Sequence, residues 1–350
     1  MPGAFVNDGV TIMAPPSSRP AARIRPGRDE DAADYIRLIG DAWGEYPNCI
    51  LDVDGEVPEL RALASHFGAA GGAVWVAERG GRVTGMVATR PLGSDNAWEI
   101  CKMYVEQAER GSGLAHVLLG GAEIYAQQQG AQRIVLWTDT RFDAAHRFYE
   151  KRGYVRAGSI RILDDISHSL EFRYAKPAHG LVIEALDAAA AASAERNLAD
   201  ILAACVADGA SVAYQAPLSP ETARGFWRKI SGDVAMGNRL LLVAWLDGRM
   251  AGTAQLHLAM AENQPHRAVV EMLLVHPEFR RRGVGRALMR RAEQAARGIG
   301  RSLLTLDTRA GDAAERLYRS QGWVEAGRIP AFARNADGTF GDQLFFYRSL

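Results

Sequence analysis

The order of apolar and polar positions predicts two successive series of strands alternating with helices. Short apolar runs between turn signals are typical of strands, and longer runs with apolar residues three and four apart are typical of helices. Two-residue turns at Gly80-Gly81 and Asp247-Gly248 each join two such runs and predict β-hairpins. The predicted strands are 22–25, 74–77, 82–89, 98–105, 134–138, 240–246, 250–257, 269–275 and 303–306, and the predicted helices are 29–43, 114–129, 144–152, 188–192, 284–297 and 313–320.

The same pattern of residues occurs twice along the chain. Segment 105–119 aligns with 275–289, so that Gly113 falls on Gly283 and Leu118 on Leu288. Further along, 139–149 aligns with 307–318, and 153–158 aligns with 322–327. The distance along the chain from segment 105–119 to segment 275–289 is far too long for a solenoid repeat, so the duplication indicates two whole domains.

Each half predicts a mixed α/β domain. The length of 350 residues is consistent with two such domains. We place them at 21–175 and 181–350, joined by a linker at 176–180 that contains Pro and Gly. Residues 1–20 are rich in Pro and lack the order of charges and apolar residues of a signal peptide, so we expect a disordered leader.

Composition narrows the classes of function. The chain carries 41 basic and 41 acidic residues, so its bulk charge gives no attraction to nucleic acid or to a membrane surface. No apolar stretch reaches the roughly 18 residues that a membrane span needs. Cys49, Cys101 and Cys205 form no CxxC pair, which indicates neither a disulfide framework nor a zinc site. We therefore expect a cytoplasmic protein without a metal, a nucleic-acid partner or a membrane partner.

A strand followed by an Arg- and Gly-rich loop and then a helix is the central feature of both halves. The start of a helix presents unpaired N–H groups and partial positive charge, which favour a phosphate. Glycines let the backbone approach the anion, and arginines add charged donors. The candidate anion-binding residues are Arg280, Arg281, Arg282, Gly283, Val284, Gly285 and Arg286 in the second half, and Arg110, Gly111, Ser112, Gly113, Leu114 and Ala115 in the first.

A strand–helix turn with solvated arginines is the simpler interpretation of one such loop. Its occurrence twice, after a strand that ends in valine, favours a binding site. The spacing matches neither the GxxxxGK[ST] loop of nucleotide triphosphatases nor the GxGxxG loop of dinucleotide-binding folds.

These motifs resemble those of the GNAT acetyltransferases. The pattern Gln/Arg-x-x-Gly-x-Gly/Ala after a strand is met by 280–285 and by 110–115, and the later stretches with Tyr and Gly-aromatic-Val resemble the family's next segment. The second half is also similar to tabtoxin-resistance-type acetyltransferases. The resemblance implies, in each half, a central mixed and mostly antiparallel sheet flanked by helices, with acetyl-CoA as co-substrate.

The resemblance also implies roles for individual residues. Glu271 and Glu99 are candidate general bases, and strand alternation places both on the face of the strand-ending valines. Tyr318 and Tyr149 are candidate proton donors to the thiolate. Asp312 stands where the family often has an Asn that helps to place CoA, and it is also a candidate helix cap. The strand ends expected to bind the pantetheine arm are Leu273, Leu274 and Val275, with Met103, Tyr104 and Val105 in the first half.

We predict an N-acetyltransferase that acts on a small-molecule amine, as a monomer or a homodimer. The second half is the expected active site, because Glu106 and Glu109 stand beside the loop of the first half and oppose anion binding there. The alternatives are a protein N-acetyltransferase and a non-catalytic acetyl-CoA sensor or pseudoenzyme.

Overall fold

The computed structural model describes residues 22–93, 96–335 and 337–350, so the predicted leader lies outside the described residues. The chain divides into two compact units. The first unit comprises the residues up to Phe148 together with Arg156–His179, and the second comprises Tyr149–Val155 and Gly180–Leu350. The domain boundaries given above stay a prediction.

The first unit is built on an eight-stranded sheet. In chain order its helices and strands are β1 (Arg23–Pro26), α1 (Ala32–Trp43), α2 (Leu63–Ala69), β2 (Ala73–Arg79), β3 (Arg82–Pro91), β4 (Ala97–Val105), α3 (Leu114–Gln128), β5 (Arg133–Asp139), α4 (Asp143–Lys151), β6 (Val155–Arg156), β7 (Arg161–Ile162) and β8 (Leu170–Pro177). The division between the units falls within α4 and within β6. The sheet order is β1-β2-β3-β4-β5-β8-β6, with β7 on β8. Strands β4 and β5 are parallel, whereas β1–β2, β2–β3, β3–β4, β5–β8 and β7–β8 are antiparallel.

The second unit repeats this plan on a seven-stranded sheet. Its elements are β9 (Leu181–Leu186), α5 (Ala188–Ser193), α6 (Glu195–Ala207), α7 (Pro220–Ala235), β10 (Arg239–Leu246), β11 (Arg249–His257), β12 (Arg267–Val275), α8 (Val284–Gly298), β13 (Leu303–Arg309), α9 (Ala313–Ser320), β14 (Val324–Arg334) and β15 (Phe340–Ser349). The order is β14-β15-β13-β12-β11-β10-β9, and only β12 and β13 run parallel. Two mixed, mostly antiparallel sheets flanked by helices confirm the predicted fold class.

Both faces of the second sheet are covered, which explains the unbroken apolar run of β10. Leu241, Val243 and Trp245 pack with α5, α6 and α7. Leu242 and Ala244 point to the other face and pack with α8 and α9. A strand buried on both faces has no polar alternation, because neither side chain direction meets water.

The two predicted hairpin turns are confirmed. Gly80 and Gly81 have φ of 59° and 79°, and Asp247 and Gly248 have φ of 52° and 74°, as a two-residue hairpin loop with two left-handed residues requires. Strand β8 continues through Pro177, which leaves residues 178–180 between it and β9. Within the described ranges, no helix has both the length and the apolar character needed to cross a bilayer.

Replacing Gly252 by Ala is expected to destabilise the second unit. Gly252 lies opposite Val275 in the sheet, and a Cβ there would stand 2.5 Å from the Leu274 carbonyl oxygen. Forcing the backbones of β11 and β12 apart costs about 1–3 kcal/mol, so thermal unfolding should shift to lower temperature. Gly225→Ala on α7 is the matched control, because its Cβ meets nothing within 4 Å and Ala favours a helix by roughly 0.5–1 kcal/mol. Equal shifts in both variants would contradict the close approach.

Candidate functional site

The parallel strands of the second sheet pair over only part of their length. Arg267 pairs with Leu303 and Val269 with Thr305, yet β12 continues to Val275 and β13 to Arg309. In the part of the chain that the structure describes, the end of β12 therefore has no strand partner on its β13 side. Backbone groups along this edge are available to an extended ligand. In the first unit, β4 and β5 likewise pair only from Ala97–Arg133 to Ile100–Leu136.

A β-bulge lies in the unpaired part of each strand. In β12, Glu271 pairs with Gln255 and Leu274 with Thr253, so β12 has one more residue than β11 between these two pairs. Met272 lies in this bulge and has φ of 51°. In β4 the same shift surrounds Lys102, with φ of 47°. A left-handed residue other than Gly costs on the order of 1–3 kcal/mol, and such strain is concentrated at functional sites. The sequence did not predict the bulge, because neither position carries a Gly.

The bulge reverses the predicted direction of Glu271. Glu271 lies opposite Gln255, whereas Val275 lies opposite Gly252. Gln255 and Gly252 are an odd number of residues apart, so they project to opposite faces of β11. The prediction that Glu271 shares a face with Val275 is therefore wrong, because the extra residue breaks the alternation.

The same correction applies to Glu99 in the first unit. Glu99 lies opposite Arg90, whereas Val105 lies opposite Gly85. Glu99 is buried and its carboxylate accepts a hydrogen bond from Arg90 Nε at 2.8 Å. Its carboxylate is thus neutralised by a neighbouring guanidinium.

The start of α8 keeps several backbone donors free. Gly283 is left-handed, with φ of 82°, and no side chain caps the helix. Among the described residues, the N–H groups of Val284, Gly285 and Arg286 have no hydrogen-bond acceptor. Three N–H groups directed out of one helix end form a ready anion site.

The corresponding end of α3 uses its donors internally. The Leu114 N–H donates to Ser112 Oγ at 3.2 Å, and the His116 N–H donates to the Gly113 carbonyl at 3.0 Å. The Ser112 hydroxyl in turn donates to the Glu109 carbonyl at 2.7 Å. The hydroxyl of Ser112, a predicted anion ligand, therefore accepts a hydrogen bond from the Leu114 N–H, which an anion would need as a donor.

The first arginine of each loop is held by a carboxylate. Arg280 pairs with Asp208 and donates from Nε to the Val275 carbonyl at 3.2 Å. Arg110 makes a bidentate pair with Glu45 at 2.6 and 2.7 Å. These two predicted anion ligands connect the second loop to the residue that follows α6 and the first loop to the segment that follows α1.

Other arginines of the second loop keep their charge available. In the described ranges, the side chains of Arg281 and Arg286 make no ion pair or hydrogen bond. Arg282 lies 3.5 Å from Asp247, and both side chains are half-exposed, a pair of little energetic value. At the equivalent positions the first loop has Gly111, Ser112 and His116, so it offers less positive charge.

The carboxylates beside the first loop do not act as predicted. Glu106 contacts Arg37 at 2.6 Å and Arg82 at 3.2 Å, and the buried Glu109 contacts Arg79 at 2.9 Å. Their charge is compensated by these arginines, so the two carboxylates give no reason to expect a weaker anion site in the first unit, and that expectation rests on its bonded N–H groups and its fewer arginines.

Tyr318 lies in a pocket of aromatic rings. It is 5% exposed, and the ring centroids of Trp323 and Phe346 each lie 6.1 Å from its own. Burial raises the pKa of Tyr318, and the nearby Asp307 and Asp312 raise it further. The phenol therefore keeps its proton at neutral pH and can donate it. Tyr149 is buried in α4 and packs edge-on against Tyr154 at 5.9 Å.

Asp312 and Tyr104 have partners that the sequence did not indicate. Asp312 precedes α9, but its carboxylate accepts hydrogen bonds from Arg309 at 2.9 and 3.0 Å and caps no helical N–H, so the predicted cap is wrong. The Tyr104 hydroxyl accepts a hydrogen bond from Trp43 Nε1 at 2.9 Å, and burial raises the pKa of Tyr104 to about 12.

Three side chains around Glu271 had not been predicted as site residues. Glu271 contacts Arg239 from β10, and its Oε1 lies 3.4 Å from Nδ1 of His257 on β11. Arg239 also donates to Gln255 Oε1 at 3.0 Å. A sequence pattern does not reveal this cluster, since its members come from three strands.

The first sheet has a different residue at the position of Glu271. The two sheets can be aligned on the pairs Val275–Gly252 and Val105–Gly85. Four residues before the valine, the second sheet has Glu271 opposite Gln255 and the first sheet has Cys101 opposite Ala88. Burial, with a further contribution from Glu99, raises the pKa of the Cys101 thiol. A neutral, half-buried thiol is not a proton acceptor at neutral pH.

A cleft of about 300 Å³ lies beside the free end of α8. It is lined by residues of α8, α9 and β15 and of the turn after α9, namely Arg286, Arg290, Glu293, Ser320, Gln321 and Arg348. Its three arginines favour an anionic ligand that continues from the helix start.

Comparison with known proteins gives a match to one family in both units. The model of the "Acetyltransferase (GNAT) family" matches residues 37–154 and 207–323. The chain is 35% identical over 102 residues to an N-acetylaspartate synthetase of Xenopus tropicalis, covering 29% of this chain and 38% of that protein. It is 30% identical over 158 residues to a mycothiol acetyltransferase of Thermomonospora curvata, covering 45% of this chain and 48% of that protein. The chain thus spans less than half the length of either relative.

Solved structures align with about one unit. A GNAT-family acetyltransferase from Streptococcus pneumoniae is 21% identical with a TM-score of 0.41, covering 49% of this chain and 99% of that one. An acetyltransferase from Salmonella typhimurium, solved with its cofactor acetyl-CoA, is 20% identical with a TM-score of 0.41, covering 49% and 94%.

Inorganic pyrophosphate is expected to bind at the start of α8. The double variant Arg281→Gln/Arg286→Gln removes two free cations and should raise the Kd for pyrophosphate about tenfold or more, as titration calorimetry measures. Arg297→Gln, at the other end of the same helix, is the control and should leave the Kd unchanged. An equal loss in the control would show that general charge, and not this site, binds the anion.

Proposed function

The chain belongs to the acetyltransferase (GNAT) family, whose co-substrate is acetyl-CoA, and from this we propose that its second unit acetylates a small-molecule amine. Acetyl-CoA supplies the activated acetyl group as a thioester. The residues of this chain must hold its diphosphate, accept a proton from the amine and return one to the departing sulfur.

The observation that carries this proposal is the difference between Glu271 and Cys101 at one register position. In both units the two parallel strands pair over only part of their length, and the first of them has a β-bulge and ends in a valine. Only the second unit has a carboxylate at the position beside the bulge, and it is 35% exposed. A carboxylate accepts a proton from an amine within reach, whereas the neutral, half-buried thiol of Cys101 does not. We assign turnover to the second unit.

Residues at the start of α8 fit the diphosphate of acetyl-CoA. The free N–H groups of Val284, Gly285 and Arg286 are donors with no other acceptor in the described chain. Arg281 and Arg286 supply two uncommitted positive charges. The open edge of β12 that ends at Val275 suits an extended pantetheine arm, which carries amide groups that pair with a strand.

Tyr318 is the proposed proton donor to the thiolate. Its raised pKa keeps the phenol protonated, and it belongs to the apolar cluster against which Leu273 and Val275 pack. The low polarity of that surrounding strengthens a hydrogen bond to a developing anion.

A small acceptor is supported by the names of the curated relatives. The N-acetylaspartate synthetase and the mycothiol acetyltransferase are named for small molecules, and we extend that class to this chain. Acetylation of peptide amines only, or CoA binding without thiol release from any amine, would instead favour a protein acetyltransferase or a sensor.

Glu271→Gln is expected to lower thiol release from acetyl-CoA about 100-fold or more with the best amine of a panel, because the amide accepts no proton. Cys101→Ala, at the equivalent position of the first unit, should leave the rate unchanged. The rate of free-thiol formation measures both. A rate that falls with Cys101→Ala and not with Glu271→Gln would assign turnover to the first unit.

Tyr318→Phe is expected to lower kcat, because it removes the phenol hydroxyl that would donate the proton. It should leave the Kd for CoA unchanged, because the aromatic ring is kept. Because burial raises the pKa of Tyr318, loss of its proton should reduce the wild-type kcat only above about pH 10. A pH–rate profile checks this. A variant with the wild-type kcat would remove Tyr318 from the mechanism.

A further inference from the structure

The surroundings of Glu271 form a connected polar cluster beneath α7. Arg239 contacts Glu271, lies 3.0 Å from Asp233 Oδ2 and donates to Gln255 at 3.0 Å. On the other side of Glu271, His257 Nδ1 lies 3.4 Å from Oε1. His257 and Glu271 are about one-third exposed, at 31% and 35%, whereas Arg239 is 14% exposed. The solvent-facing end of the cluster is therefore the His257–Glu271 pair.

Two features indicate that this cluster receives a ligand. Gln255 is fully buried, and within the described ranges its Nε2 has no hydrogen-bond partner. A buried donor without a partner is costly unless a ligand or a water supplies a hydrogen-bond acceptor, so this feature indicates a ligand with an acceptor atom and does not bear on its charge. The cluster also contains two carboxylates and one guanidinium, so with neutral His257 its net charge is negative. A negative pocket attracts a cation.

We propose that His257 and Glu271 form a proton relay for an acceptor amine that arrives as a cation without a carboxylate of its own. The inference rests on the proposed function and deepens it. Arg239 is a positioning residue, because it holds the Oε2 side of Glu271 and leaves Oε1 toward His257. The charged groups around His257 in the described chain are Arg239 from β10, Glu271 from β12 and, through Arg239, Asp233 from α7.

The relay balances the protons of the transfer. The ammonium group gives one proton to Glu271, which passes it to the imidazole of His257. The neutral nitrogen forms its bond to the acetyl carbon, and the carbon–sulfur bond breaks. The thiolate takes the Tyr318 proton, and the second proton of the nitrogen restores Tyr318. The net result is an amide, a thiol and one proton on His257, which then passes to water.

The first unit provides an internal comparison. In the same register, His257 corresponds to Arg90, Gln255 to Ala88 and Glu271 to Cys101. Arg90 is paired with Glu99 and stays protonated at neutral pH, so it cannot accept a proton. The relay therefore belongs to the second unit alone.

His257→Asn separates a relay from a structural role. The Asn amide retains a polar group near the position of Nδ1 but accepts no proton, so a structural role would be rescued. We expect kcat for glycinamide to fall about 100-fold with KM little changed. The pH profile of kcat should also differ from that of the wild type, because the variant has no imidazole to carry the proton. His66→Asn, an exposed histidine of the first unit, is the control.

The charge of the acceptor is tested with glycinamide, glycine and aspartate, which are cationic, zwitterionic and anionic. We expect kcat/KM to fall about tenfold or more at each step. A preference for aspartate overturns the cationic class, and a wild-type pH profile in His257→Asn overturns the relay alone. Absence of thiol release with every amine overturns the proposed function and the relay with it.

Discussion

The short pairing between two parallel strands is the constraint on which the rest of the second unit depends. Strands β12 and β13 are hydrogen-bonded only as far as Val269–Thr305, and beyond that point β12 bulges at Met272. Because the two strands separate there, one backbone edge of β12 has no strand partner in the described chain. The bulge places the side chains of Glu271 and Val275 on opposite faces of the sheet. One face thus meets α8 and its free N–H groups, while the other presents a carboxylate beneath α7. A regular strand would have placed both groups on one side.

The two units share this geometry and differ in the side chains placed on it. Each has a glycine opposite the strand-ending valine and a left-handed residue in the bulge. In the first unit the loop satisfies its own donors through Ser112, and Cys101 stands where the second unit has Glu271. The two units therefore share a backbone geometry and differ in the N–H donors and in the carboxylate that lie on it.

Much of the fold was predictable, because strand and helix periods are local properties. The helix at Ala313–Ser320 and the hairpin turns at Gly80-Gly81 and Asp247-Gly248 agree with their predictions. The strand, loop and helix from β12 to α8 were predictable too, since the residues of this segment are contiguous. The bulge was not, because Met272 and Lys102 are ordinary residues whose left-handed backbone depends on neighbouring strands. Nor was the cluster of Arg239, Gln255 and His257, whose members meet only through cross-strand register.

Hydrogen–deuterium exchange with and without acetyl-CoA tests most directly where the co-substrate binds. The N–H groups at 284–286 should exchange more slowly when acetyl-CoA is added, because these donors have no other acceptor in the described chain. Exchange at 114–116 should change little, because two of its three N–H groups are already bonded. Equal protection at both helix starts, or protection at 114–116 alone, would contradict the assignment of acetyl-CoA to the second unit.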